Sequence, residues 1–374
     1  MLKRSVVGLL MGLCVIGLGS RWAGAEEAGA FWEKTKVSGT VDSTYNYSLN
    51  RPTLNVAGGP IGGHLMEPRH NSFDINYAEL AVETMPTEWA TVRFDLGFGQ
   101  DVPIVQSAGL AGGIADLQQG YIKVASDNGL SLTMGKFVTM HGAEVIERGA
   151  NMNISHSVLF NYAIPFTHTG LLVGYNINDD WNIKAGIVNG WNNTTDNNAM
   201  KTLHTMLTGK LNDQWGLTIG GSAGPEAALQ DGKNRILVDG TLTFDPNETW
   251  HFALNGDLGV DKAIATRKGL KDWAGAALYA HYKADAPWGA TVRAEYYLED
   301  AGATAITGSG VSTAALSGKA YEGTLTLHHY VTDGLEARLE LRHDAVDRAV
   351  FPKKGTPLSK KYQDVAAVEL VYTF

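Results

Sequence analysis

From Ala90 to Phe98 the chain alternates. Ala90, Val92, Phe94, Leu96 and Phe98 are apolar, and Thr91, Arg93, Asp95 and Gly97 stand between them. A period of two residues puts each set on its own face of a strand. A face bearing Arg93 and Asp95 is hard to bury between two sheets, but it suits a strand with lipid on one side and water on the other. The pattern recurs near the start, where Val37, Gly39, Val41, Tyr45, Tyr47 and Leu49 alternate with polar residues. It recurs at the end, where Ala366, Val368, Leu370, Tyr372 and Phe374 alternate with Ala367, Glu369, Val371 and Thr373. Ser72 to Thr84 follows it with a slip of phase between Tyr77 and Leu80, which predicts a bulge. Past the N-terminus no run of about eighteen apolar residues occurs, so a chain of this kind in a membrane has to close into a barrel. The 44 glycines among 374 residues, roughly 12% against a usual level of about 7%, suit closely packed strands and disfavour long helices.

The first residues predict an export signal. Lys3 and Arg4 precede the apolar run Val6 to Gly19, and Ala23-Gly24-Ala25 is a small-x-small site with cleavage expected before Glu26. Residues 1–25 are therefore expected to be a secretory leader, 26–35 a short periplasmic segment, and 36–374 the barrel. The single cysteine, Cys14, would leave with the leader, so no disulfide or cysteine metal site is expected. Loss of Lys3, Arg4 and Arg21 takes the net charge from −9 to −12, which argues against nucleic-acid partners and suggests a bias towards cations in a pore.

Connections between the amphipathic stretches alternate in length. Short ones are expected at Ser126–Gly129, Asn178–Asp180, Asn212–Gln214, Asp245–Thr249, Ala284–Pro287 and Val331–Gly334, after an earlier turn at Met85–Glu88. Long ones are expected near 51–71, Gln100–Ile114, Val138–Thr167, Asn189–Met200, Gly224–Arg235, Val260–Asp272, Asp300–Lys319 and Ala345–Tyr362. Outer-membrane barrels have short periplasmic turns and longer outer loops. The count between them is about sixteen antiparallel strands, with fourteen or eighteen as the neighbouring possibilities, and both termini on the periplasmic side. Trp89, Trp181, Trp215, Trp250 and Trp288 each follow a short turn, as an aromatic girdle at one membrane interface would require. A soluble sandwich is the rival, but it leaves both the apolar face and the shared Trp register unexplained.

One long connection differs from the rest. Between Gly135 and Gly170 the alternation stops for about thirty residues, and such inserts are usually functional. Residues 138–167 are expected to fold into the lumen as a constriction. Glu144, Glu147, Arg148, His141 and His156 would set its selectivity, while Leu159, Phe160, Ile164 and Pro165 would pack it against the inner wall. Arg93, Arg293, Glu295, Arg338, Glu340 and Arg342 are expected to face the lumen, along with Lys123, Lys184, His251 and Asp257.

Other motifs carry less. Gly220-Gly221-Ser222-Ala223-Gly224 matches the hydrolase pattern G-x-S-x-G, but that motif needs a helix after its strained turn, and Pro225 with a short polar loop follows. His141, His156 and His168 show no tight metal spacing, and the Asn192–Asn198 run lacks the EF-hand pattern and reads as a solvated outer loop. No cofactor and no enzymatic activity are expected.

Several of these stretches resemble a family of bacterial β-barrel porins, the beta-barrel porin-2 group. The resemblance rests on Gly135-Lys136-Phe137, Gly142-x-Glu144, Asn153-x-Ser155-x-Ser157-x-Leu159-Phe160 and Pro165-Phe166-Thr167-His168-Thr169-Gly170. It rests also on Val188-Asn189-Gly190-Trp191 with Asp196-Asn197-Asn198, and on Glu340-x-Arg342-x-Asp344. Ile154 and His156 stand where the family pattern has an aromatic and an Arg. The resemblance implies an outer-membrane channel in a Gram-negative bacterium, reached by Sec export, passing small hydrophilic solutes or ions by passive diffusion. In general porins of this size the loop after the fifth strand forms the constriction, which is the place of this insert. The C-terminal Phe374 resembles the assembly signal of such barrels. Expected partners are the lipid bilayer with its lipopolysaccharide, the outer-membrane assembly machinery, small solutes or ions, and two further copies in a homotrimer. The alternatives are a substrate-specific uptake channel, with Tyr121, Tyr279 and Tyr297 lining the lumen, and a barrel-anchored enzyme or adhesin.

Overall fold

The structure is a computed structural model that describes residues 31–53, 61–106, 113, 115–229, 231–232, 234–266, 269–284, 287–299 and 318–374. The expected leader, the first part of the 26–35 segment and most of the loop expected at 300–319 lie outside the described residues. So do parts of the connections expected at 51–71, 100–114, 224–235, 260–272 and 284–287.

The strands are β1 (Thr35–Ser48), β2 (Ser72–Thr87), β3 (Ala90–Phe98), β4 (Ala115–Ala125), β5 (Leu130–Val138), β6 (Thr167–Asn176), β7 (Trp181–Val188), β8 (Thr202–Lys210) and β9 (Trp215–Pro225). They continue with β10 (Asn234–Asn247), β11 (Trp250–Thr266), β12 (Gly269–Lys283), β13 (Trp288–Glu299), β14 (Gly318–Thr332), β15 (Leu335–Val346), β16 (Phe351–Lys353), β17 (Thr356–Lys360) and β18 (Tyr362–Thr373). Sixteen of these close into one antiparallel barrel in chain order, and the short pair β16–β17 forms a separate hairpin. Closure joins the ends of the chain, with Thr40 opposite Thr373 and Ser48 opposite Val365. This is the strand number expected from the spacing of the turns. The phase slip expected between Tyr77 and Leu80 is present slightly earlier, as a register shift opposite Asp42, where both Asn76 and Tyr77 turn inward and are buried.

The two faces are inverted relative to a soluble protein. On β15, Arg338, Glu340 and Arg342 are buried while Leu339 and Leu341 are exposed; on β14, Leu325 and Leu327 are exposed beside buried Thr324 and Thr326. In water this would expose a continuous apolar belt; in a bilayer it matches the solvent on each side. The apolar core lies inside the barrel. Leu159, Phe160, Ile164 and Phe166 of the insert pack with Trp273, Tyr279 and Tyr297 of the wall, Leu65 and Met66 of the first long connection, and Val102 and Val105 of α1 (Val102–Val105).

One rim carries short turns and the other long connections, with one correction. The loop expected at 260–272 is mostly strand: β11 and β12 remain paired as far as Asp261 with Lys271, and pair again at Thr266 with Gly269. Strands that outrun the bilayer need no apolar face, so the charges between 261 and 272 read as a loop in the sequence. The loop expected at 345–362 likewise contains β16–β17.

Gly135 shows why the sheet needs glycine at close strand approaches. Gly135 has φ +140°, and a Cβ there would lie 2.2 Å from the backbone oxygen of Gly120 on the neighbouring strand. Replacing it with Val should cost roughly 1–3 kcal/mol in backbone strain alone and more through the clash. A lower urea midpoint for the heat-modifiable folded band is the expected readout.

Candidate pore interior

The insert, residues 139–166, leaves β5 and returns to β6 with its base closed by Thr139 N–H donating to the Phe166 carbonyl at 2.8 Å. Between these points it makes almost no regular structure, so its backbone groups need other partners. The inner wall supplies them. Glu340 accepts from the N–H of Ile154 at 2.7 Å and of Ser155 at 3.1 Å. Glu295 accepts from the N–H of Val158 at 2.7 Å and of Leu159 at 3.3 Å, at the start of α2 (Val158–Tyr162). Within the insert, Glu144 accepts from Ser157 N–H at 2.7 Å, and Ser157 Oγ caps the helix by accepting from Phe160 N–H at 2.9 Å.

The arginines serve the carbonyls. Arg293 donates to Ser155 O at 2.7 Å, Arg342 to His156 O at 2.7 Å, and Arg338 to Arg148 O at 2.9 Å. Every inward charge expected on β13 and β15 is thus buried and bonded to the insert. Arg93, on the opposite wall, pairs with Asp95 at 3.0 Å and lies 3.6 Å from Glu83.

Arg148 is the deepest anchor. Its guanidinium donates to Glu67 at 2.7 Å, to Asp42 at 3.4 Å and to Asp101, and all four groups are buried. It ties the insert to β1 and to two other long connections. Burial opposes ionisation of Glu67, but Arg148 and His156 outweigh it and hold the Glu67 carboxyl well below the usual carboxylate range. Burial pushes the Asp101 carboxyl the other way, up to about 7, against Arg148 and with the help of Asp42 and Glu67. Sequence reasoning missed Glu67, Asp101 and Asp42. They are ordinary polar residues until the fold gathers them around one guanidinium.

Of the five residues expected to set the selectivity of the constriction, four are buried and Glu147 is half-buried. Glu144 is buried, taken by Arg293 at 2.8 Å and Tyr279 at 3.0 Å. His156 is buried between Glu67 at 3.1 Å and Val145 O at 2.9 Å, with its ring stacked on Phe160. His141 is buried with Nε2 3.2 Å from His204 Nδ1 and Nδ1 3.7 Å from Asp239. Arg148 is enclosed as described, and Glu147 is half-buried against Glu79. The physical reason is common to all: an irregular segment inside a barrel uses its polar groups to bond to the wall. Tyr279 and Tyr297 are likewise covered by the insert rather than lining open space.

Two other expectations change. Asn192 and Asn193 are buried rather than solvated, and Asn192 Oδ1 accepts from the N–H groups of Phe166 and Thr167 at 2.7 and 3.1 Å, fixing the insert's return into β6. Ser222 lies within the unbroken strand β9, opposite His204 of β8, without the strained turn of a hydrolase elbow. Among the described residues no group of three or more His, Cys, Asp or Glu could hold a metal ion. Trp181, Trp215, Trp250 and Trp288 open their strands at the short-turn rim, with Trp89 one residue before β3. Phe374 is exposed on the outer face and donates its N–H to Gly39 O at 3.0 Å.

The insert covers the inner faces of β10 to β15 and leaves space on the other side. A cavity of about 450 Å³ lies against β4 to β9, lined among others by Tyr121, Lys123, Thr133, Phe137, Leu172, Lys184, Met206 and Thr218, with Met140 and Gly142 of the insert at its edge. A second cavity of about 300 Å³ continues to the short-turn rim and shares Lys123, Ser131 and Lys184 with the first.

Solved structures share this architecture. The outer membrane channel DcaP of Acinetobacter baumannii is 13% identical, with 91% of this chain and 97% of that one covered and a TM-score of 0.58. The anion-selective porin from Comamonas acidovorans is 10% identical over 91% and 99%, with a TM-score of 0.60. The trimer form of OmpT, an outer membrane protein of Vibrio cholerae, is 10% identical over 91% and 99%, with a TM-score of 0.55. No curated protein sequence matches the chain. At these identities the likeness establishes the fold. The sequence profile of the beta-barrel porin-2, OmpL-like family matches residues 34–374, and with the closed barrel and its polar interior this places the chain in that family of outer-membrane porins.

Proposed function

We propose that the chain forms a water-filled channel through which small hydrophilic solutes or ions diffuse down their gradients. The observation that carries this reading is the space left between the insert and β4–β9, partly lined by polar side chains and sharing Lys123, Ser131 and Lys184 with a cavity at the short-turn rim. His141, Glu144, Glu147, Arg148 and His156 would hold the insert's shape, and so fix the width of the passage more than its charge. The five tryptophans would mark the periplasmic interface, Phe374 would serve assembly after export, and the chain would work as a homotrimer, as the solved trimer form of OmpT supports. Purified protein added to a planar bilayer should give stepwise conductance increments. Insertion without conductance would refute the channel.

A second reading, a substrate-specific uptake channel, is favoured by the mixed lining of the cavity, where Phe137, Leu172 and Met206 stand beside two lysines. Saturation of current by one solute, against linear increase with others, separates the two.

A further inference from the structure

The chain is acidic as a whole, with a net charge of −9, but its acids are unevenly placed. Strands β5, β6, β7, β8 and β9 contain no Asp or Glu anywhere in their length. The carboxylates of β13 to β15 lie under the insert, where Glu295, Glu322 and Glu340 are consumed by arginines and backbone N–H groups. The space that remains open therefore does not see the net charge of the chain.

What it sees is two ammonium groups. Lys123 on β4 and Lys184 on β7 face the interior, are exposed there, and line both cavities. Among the described residues neither has a salt-bridge partner, and no carboxylate lines either cavity. Gly174 pairs with both Ser131 and Lys184 in the sheet, so β6 places no side chain directly between these two. An unpaired cation on a low-dielectric wall concentrates anions in the water beside it. Further into the barrel the same cavity turns apolar, at Phe137, Leu172 and Met206.

We propose that this cavity is an anion station suited to small organic carboxylates. The carboxylate would sit between Lys123 and Lys184, and the hydrocarbon body against Phe137, Leu172 and Met206. The inference rests on the channel reading above. It replaces the cation bias suggested by net charge, because buried, paired carboxylates contribute little field to open water.

Planar-bilayer recording across a KCl gradient tests it, with benzoate as the probe. The wild-type protein should prefer chloride over potassium. Lys123→Gln with Lys184→Gln should lower that permeability ratio roughly threefold or more, the change expected for unit charges a few ångströms from the ion in a water-like dielectric. Lys123→Arg with Lys184→Arg should keep it. Benzoate should depress the chloride current of the wild type more than acetate does, and should not do so in the double Gln variant.

A channel that conducts but prefers potassium would overturn the proposal, and would assign selectivity to Asp127, Asp179, Asp180 and Asp213 in the short turns. An unchanged ratio in the double Gln variant would overturn it as well. Acetate and benzoate acting alike would overturn the apolar half of the site. Absence of any conductance would overturn the channel reading and this one with it, a failure distinct from the others.

Discussion

Glu295→Ala combined with Glu340→Ala should free the insert from the wall and raise single-channel conductance several-fold. The two carboxylates accept from four backbone N–H groups, those of Ile154, Ser155, Val158 and Leu159. Hydrogen bonds to a charged group are each worth about 1.5–3 kcal/mol, and a buried N–H left without a partner costs comparably. No rearrangement of the insert alone replaces four acceptors at once, and water entering the vacated space would favour the unseated form. The barrel itself should survive, because its ladder bonds run between strands and use neither carboxylate. The measurement is therefore paired: a heat-modifiable gel band that stays in place, with a larger conductance step and new protease cleavage within 144–160. Unchanged conductance and a protected insert would mean that Leu159, Phe160 and Phe166 hold the segment by packing alone.

This prediction depends on contacts that no local reading of the chain could supply. The alternation of Arg338, Glu340 and Arg342 with Leu339 and Leu341 assigns each residue to a face, and the assignment holds. It says nothing of partners. Ile154 meets Glu340 across 186 positions of sequence, and Arg148 meets Arg338 across 190. Inward charges on a strand are compatible with an open, charged lumen and with a lumen filled by a bonded segment, and the period is the same in both. The strand count was legible because lipid on one side and polar groups on the other impose a period that turn residues interrupt. The extension of β11 and β12 beyond the expected turn is not legible, because that imposition ends where the bilayer ends. The motifs that suggested the family prove to be the anchoring set: Asn153, Ser155 and Ser157 lie in the insert, and Glu340 and Arg342 on the wall that receives it.

Charge also behaves differently when counted and when placed. An acidic total suggests cation preference only if the acids face the permeating ion. Here the interior holds Arg–Glu pairs on one side and, among the described residues, two lysines without a salt-bridge partner on the other, so the sum alone does not give the sign of the field in the passage. Lys123 and Lys184 were visible as inward residues from alternation alone. Their isolation becomes visible only when the insert is seen to take the carboxylates.

Arg148→Met should loosen the other end of the insert, and its effect should depend on pH. Removing the guanidinium leaves Asp42, Glu67 and Asp101 buried together without a cation, and breaking a buried ion pair in this way costs roughly 3–5 kcal/mol. The lost tether joins the insert to β1 and to the connections that carry Glu67 and Asp101. Frequent transitions to a larger conductance state are the expected result, with Arg148→Lys intermediate because an ammonium cannot reach three carboxylates in a fixed fork. In the unaltered protein two carboxyls pull in opposite directions. Glu67 is held below its usual range, so its contribution is present above that range and is lost as pH falls. Asp101 is raised to about 7, so its contribution is full below 3.8 and is lost as pH rises through about 7. Above that point a further negative charge enters a site with one guanidinium, and the seat of the insert weakens. Transitions to the larger state should therefore become more frequent between pH 5 and pH 8.5, the range about that value of 7. Asp101→Asn, which cannot ionise, should flatten the dependence while leaving conductance at pH 5 unchanged. A pH dependence that persists in Asp101→Asn would place the sensor elsewhere.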